Sequence, residues 1–288
     1  MVKYNYNEVI GYLEIDPQFI MEGIEYAKNE DFNSIRIRTL NQNSGQKYDI
    51  DFSPFKDELF IEKLIINDDF KIGKAHFFEA LYTLRKLNHL QFRQPLNIDL
   101  SHLLQLKGLY IKGDKKVENI NSLINLKNLL ISSTKKDDCT HLKGLKELRE
   151  FRISGAIKNL EGIESLIKLT DFKVSYSSKL TDAKSLTSLS NLEKLHLEKC
   201  KLLTDFSFLK GNTSIKELFI DNLDSLEFVA TMPNLEKINF WFCKDGNMKP
   251  LLESKSLKQI NFYPNKKHYT HTIEQIIELT GAQRGRNK

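Results

Sequence analysis

The sequence lacks nearly everything that builds a catalytic, metal-bound or membrane-spanning protein. Its three cysteines, Cys139, Cys200 and Cys243, are odd in number, with no CxxC pair and no Cys/His cluster at zinc spacing. Neither a disulfide framework nor a metal site is expected, and the thiols should be reduced and mostly buried. No run approaches the roughly 20 apolar residues of a membrane span, and the opening MVKYNYNEVIGYLEID has no basic segment followed by an apolar one. A soluble, cytoplasmic protein is expected. There is no GxxxxGK[ST], GxGxxG, GxSxG or HExxH, and the seven His residues are scattered. His196 and Cys200 are close enough in sequence to suggest a base and a nucleophile, but the strand pattern below points them to opposite sides. No enzyme activity and no cofactor are expected. The charge excess is small as well: 43 basic residues against 38 acidic ones, a net +5, with both signs interspersed. That balance does not by itself imply nucleic acid or an anionic membrane.

What the chain does have is a repeated unit. LKGLYI begins at Leu106, followed by LKNLLI at Leu126, LREFRI at Leu148, LTDFKV at Leu169, LEKLHL at Leu192, IKELFI at Ile215, LEKINF at Leu235 and LKQINF at Leu257. Successive starts are 20, 22, 21, 23, 23, 20 and 22 residues apart. Less regular copies begin at Leu87, Ile61 and Phe32, for about eleven strands in all. In each copy a short alternating segment sends Phe151 and Ile153, for example, inward and Glu150, Arg152 and Ser154 outward. A return segment such as Leu160, Ile163 and Leu166 then adds a second apolar edge. One such unit cannot close a core, whereas stacked units bury a continuous ladder and pair their strands in parallel. Cys139 aligns with Ile120, Leu160, Ala183 and Phe206 on that return edge.

The pattern Leu148-x-x-Phe151-x-Ile153 followed by Leu160-x-x-Ile163-x-x-Leu166 resembles leucine-rich repeat proteins, specifically the bacterial internalin-like class with repeats near 22 residues. The resemblance implies an α/β repeat solenoid, an arc with a parallel β-sheet on its concave face, short helices or irregular turns on the convex face, and helical caps at both ends. It departs from the family where an Asn ladder is usual; the chain has Ala156, Ser177, Cys200, Leu223, Cys243 and Asn265 there. The expected organisation is one continuous domain: an N-terminal cap over 1–58 with a helix and a first irregular strand, repeats over 59–263, and a C-terminal cap helix and basic tail over 264–288. Asp16 and Pro17 are expected to start the first cap helix, HTIEQIIELTGA to form the second with Gly281 as its stop, QRGRNK to fray, and GKAHFFEALYTLRKL to hold an extra helix. The sheet is expected to be all parallel.

The alternation also names the residues on the open side of the strands. The central column reads Ile65, Gln91, Tyr110, Leu130, Arg152, Lys173, His196, Phe219, Asn239 and Asn261, and flanking positions add Lys194, Glu198, Asp221, Trp241 and Tyr263. The partner-binding candidates are Arg152, Lys173, Lys194, His196, Glu198, Phe219, Asp221, Asn239, Trp241, Asn261 and Tyr263, because exposed aromatics beside polar groups serve as interface anchors. The competing readings are that the charges pair with one another and that the aromatics pack against the C-terminal cap. The expected function is a non-enzymatic scaffold that binds one protein partner, with a toxin-inhibiting immunity protein as a sharper version, and a chain that is monomeric alone. The alternatives are nucleic-acid binding through Arg36, Arg38, Arg93, Lys112, Arg152 and Lys173, disfavoured by the interleaved acidic residues, or a module recruiting substrates to a separate enzyme.

Overall fold

The computed structural model describes residues 1–41, 45–94, 97–113 and 116–285. They divide into two compact units, Met1–Ile131 and Ser132–Lys288. All eleven expected repeat strands form.

The first unit contains β1 (Tyr4–Asn7), β2 (Tyr12–Ile15), α1 (Ile20–Asn29), β3 (Ser34–Ile37), β4 (Lys47–Asp51), β5 (Lys63–Ile66), β6 (Lys71–His76), β7 (His89–Phe92), β8 (Ile98–Asp99), β9 (Gly108–Lys112) and β10 (Val117–Glu118). Its main ladder runs β1-β2-β3-β5-β7-β9, and β4/β6 and β8/β10 form two small parallel sheets. The alternation does what period two demands: Ile35, Ile37, Leu64, Ile66, Leu90, Phe92, Leu109 and Ile111 are all at most 4 % exposed. Each such side chain contributes about 1.5–3 kcal/mol by leaving water.

Three expectations need correction here. The ladder is not all parallel, because β1 folds back antiparallel onto β2, with Tyr4 opposite Ile15 and Asn7 opposite Tyr12. Gly11 closes that turn at φ 69°, donating its N–H to the Asn7 carbonyl, and β1 is held by Tyr4 stacked on Tyr26 and Tyr6 on Phe32. The cap helix starts at Ile20, not at Pro17: the carboxylate of Asp16 accepts from the backbone N–H of Gln18 and Leu40, tying down the turn ahead of the helix. GKAHFFEALYTLRKL forms no α-helix. It supplies most of β6 and a short 3-10 turn, Phe78–Thr83, since pairing with β4 satisfies the backbone there.

β11 (Asn128–Thr134) spans the boundary between the units. The second unit continues with β12 (Glu150–Gly155), β13 (Asp171–Ser175), β14 (Lys194–Glu198), β15 (Glu217–Leu223), β16 (Lys237–Cys243), α2 (Lys249–Glu253), β17 (Gln259–Phe262), α3 (Ile273–Thr280) and β18 (Gln283–Arg284). From β12 to β18 each strand pairs in parallel with the next. The return edge is as tightly buried as expected, with Cys139, Leu160, Ile163, Leu166 and Ala183 all at most 1 % exposed. Gly162 sits on that edge at φ 97°, and a Cβ there would lie 2.5 Å from the Thr140 backbone nitrogen, so the repeats approach too closely for any side chain.

α3 closes the ladder. Thr272 and Gln275 form a reciprocal capping box at its start, Ile273 and Ile276 are buried, and Gly281 ends it at φ 71°. The tail does not fray throughout. Gln283 and Arg284 pair with Gln259 and Ile260 as β18, covering the outer edge of β17, while residues 286–288 of the expected tail lie outside the described residues.

Candidate binding face

The parallel register brings the candidate column together. Arg152 lies beside Lys173, Lys173 beside His196, His196 beside Phe219, Phe219 beside Asn239, and Asn239 beside Asn261. The cause is local: their strand neighbours Phe172, Val174, Leu195, Leu197, Leu218, Ile220, Ile238 and Phe240 are at most 3 % exposed, which forces the intervening side chains to the opposite face.

Along β14, β15 and β16 the column residues His196 and Phe219 join the flanking Trp241 in a row of rings. The His196 ring stacks on Phe219 at 4.1 Å between centroids and 12° between planes. Phe219 meets Trp241 edge to face at 5.4 Å and 83°. Trp241 remains 42 % exposed and Tyr263, at the matching position past β17, 63 % exposed. The C-terminal cap is contacted by other rings, Phe242 against His268 and Phe262 against Tyr269. The aromatic contact of Trp241 is therefore on the strand face.

The charged band largely pairs with itself. Glu198 accepts from Lys173 Nζ at 3.2 Å and pairs with His196 Nε2 at 3.1 Å, while Glu217 lies 3.6 Å from Lys194 and 3.3 Å from Lys237. Arg152 is exposed and has no ion pair among the described residues. Two candidates are not free surface. Asp221 is 5 % exposed and its carboxylate accepts the Lys199 backbone N–H at 2.9 Å. Asn261 is 3 % exposed, covered where the chain past β18 brings Gly285 against it. Asn239 is half-buried between Phe219 and Asn261.

Burial holds the His196 imidazole below its ordinary pKa of 6.5; the Glu198 hydrogen bond opposes this and the Lys173 charge reinforces it. Burial raises the Glu198 carboxyl, but hydrogen bonds from His196 and Lys173 outweigh it and leave the group below the usual carboxylate value. His89 in the first unit is likewise held low, by burial and then by Lys63 and Lys107. A histidine that is harder to protonate when folded takes up protons preferentially in the unfolded chain, so stability falls as pH drops below about 6.5. His196→Gln should flatten part of that acid-side slope. Urea midpoints of wild type and variant between about pH 7.5 and 5.5 check it, and parallel curves would contradict it.

Sequence reasoning missed two neighbours of this face, Tyr176 and Lys199. They follow β13 and β14 in left-handed conformations, φ 53° and 54°, which bulky residues seldom adopt. The Lys199 ammonium lies 4.3 Å from the Tyr176 ring centroid and donates to its hydroxyl at 3.1 Å. Their only sequence signal is an equivalent place two residues past the last buried strand residue, Val174 and Leu197.

The three cysteines are held as thiols. Burial pushes the Cys200 thiol up to about 12 and raises Cys139 and Cys243 further, so all three are protonated at neutral pH, and Cys200 donates to the Glu198 carbonyl instead of activating with His196. Among the described residues no group of three His, Cys, Asp or Glu side chains could hold a metal. No described helix is long and apolar enough to cross a membrane. Of the basic residues considered for nucleic acid in the first unit, Arg36 and Arg38 both pair with Glu14, at 3.2 and 3.4 Å, and Lys112 pairs with Asp68 at 3.3 Å, while Arg93 is exposed with no ion pair among the described residues.

No family model matches the chain, and no curated protein matches it. Solved structures do. An internalin, InlF, from Listeria monocytogenes str. 4b F2365 is 18 % identical, covering 98 % of this chain and 88 % of that one with a TM-score of 0.57. A leucine-rich repeat protein of Leptospira interrogans is 15 % identical, covering 98 % of this chain and 80 % of that one with a TM-score of 0.56. At such identities the likeness speaks to fold alone. Repeat period, parallel register and these two likenesses agree, and the chain is a leucine-rich repeat solenoid with the internalin-like fold.

Proposed function

We propose that the open strand face of the second unit is a protein-docking surface, and that the chain is a non-enzymatic scaffold binding one macromolecular partner there. The observation that carries this reading is the half-exposed Trp241, mounted through Phe219 and His196 on a hydrogen-bonded ladder. Rings held in this way lose little freedom on binding, which is what makes aromatic anchors effective. The leucine-rich repeat fold is compatible with such a role without dictating it. An inhibitory version, in which the face covers another protein's active site, is a special case with the same contacts.

Capture from cell lysate by the immobilised full chain, read by mass spectrometry, tests the reading when run beside Trp241→Ala and a substitution on the turn side, Lys184→Ala. A protein retained by wild type and Lys184→Ala but lost with Trp241→Ala supports it. Retention that ignores Trp241 contradicts it. Arg152, exposed, without an ion pair among the described residues and two strands from His196, should act through steering. Arg152→Glu is expected to slow association about three-fold or more and to alter its salt dependence, with dissociation little changed. Stopped-flow association at two ionic strengths measures this.

A further inference from the structure

Both margins of the second unit's strand ladder carry ion pairs between repeats. At the strand starts, lysines of alternate repeats pair with glutamates one repeat earlier: Lys168 with Glu147 at 2.6 Å, Lys216 with Glu193 at 2.8 Å, and Lys258 with Glu236 at 2.8 Å. On the same margin Arg149 is exposed with no carboxylate partner among the described residues, and Lys146 donates to the Ser165 carbonyl. At the strand ends the carboxylates are occupied within the protein, while several ammonium groups are not. Asp221 accepts the Lys199 N–H, Asp224 pairs with Lys244 at 3.6 Å, and Asp245 takes the Cys243 thiol and the Asn247 N–H. Lys179, Lys201, Lys266 and Lys267 are exposed and have no carboxylate partner among the described residues. Lys199 turns its ammonium onto Tyr176 instead of onto an acid.

We propose that the partner docking on this face is an acidic protein segment. Its carboxylates meet the lysines at the strand ends, and an apolar side chain seats on Trp241, flanked by Phe219 and Tyr263. The inference rests on the docking reading above and adds the partner's chemistry to it. Unpaired cations beside exposed aromatics fit a segment that alternates acidic and apolar residues. The left-handed backbone at Tyr176 and Lys199 supports the assignment, because costly conformations of bulky residues concentrate where side chains must be aimed. A polyphosphate fits less well, since Glu150, Asp171, Glu198 and Glu217 stand on the same face and repel a uniformly anionic strand. A protein can keep its carboxylates at the margin.

Selection of a random dodecapeptide library displayed on phage against the full chain tests this directly. The expected winners are net acidic with an aromatic or aliphatic centre. Their synthetic forms should bind about ten-fold more weakly to Lys199→Glu/Lys201→Glu and to Trp241→Ala, each shown folded by circular dichroism, and normally to Lys168→Glu on the opposite margin. Winners that depend on Trp241 but are neutral or basic, or that ignore the Lys199/Lys201 reversal, overturn the acidic partner and leave the docking reading standing. Winners that ignore Trp241 altogether sink the docking reading and this inference with it. Displacement of the acidic peptides by a single-stranded DNA oligonucleotide that binds with comparable affinity would assign the lysines to phosphate instead, and overturns the proposal.

Discussion

Alanine at Trp241 or at Phe219 is expected to weaken partner binding by at least about 2 kcal/mol each, roughly thirty-fold, with the chain still folded. The two effects are coupled. Phe219 lies between the stacked His196 ring and the edge contact to Trp241, so removing it leaves Trp241 without its support as well as deleting its own surface. The double variant should therefore lose less than the sum of the single losses. Folding should survive because neither ring belongs to the core: Trp241 is 42 % exposed, and Phe219 is half-buried among other surface groups. Isothermal titration with the captured partner, beside thermal melts of the free variants, separates the two effects. Loss of binding accompanied by unfolding would instead make the ring row part of the structural frame.

Leu195→Ala should cost about 2–5 kcal/mol of stability, whereas Lys173→Ala on the next strand stays within about 0.5 kcal/mol. Leu195 is 2 % exposed and sits in register between Phe172 and Leu218, so its loss opens a cavity in contact with two neighbouring repeats. Stacked repeats depend on their neighbours, and the damage should spread to the adjacent strands. Lys173 is 33 % exposed, and its pairing with Glu198 is a solvent-screened contact of small worth. Urea unfolding of both variants checks the register itself, since a one-residue slip of β13 and β14 would reverse the two results.

The register was legible because alternation has period two and one wrong step exposes a whole apolar column. This is why Arg152, Lys173, His196, Phe219 and Asn239 stand where the repeat places them. What escaped the sequence depends on contacts between distant segments. Asp221 has the same outward parity as Trp241, yet its burial comes from the Lys199 backbone on the preceding repeat. Asn261 is covered by a chain end that looked like a polar tail until its pairing with β17 was known. The β1–β2 hairpin was hidden for a related reason: its tyrosines gain their place only against Tyr26 and Phe32. Tyr176 and Lys199 were missed because a left-handed backbone at a non-glycine residue leaves no compositional mark.

Trp241 is the single tryptophan of the chain, so its fluorescence reports on the docking face without any label. Titrating the captured partner, or a tryptophan-free acidic peptide, into the full chain should shift the emission to shorter wavelength and protect it from acrylamide quenching, in proportion to complex formed. Binding established by calorimetry with an unchanged emission maximum and unchanged quenching would place the partner away from Trp241 and contradict the docking face.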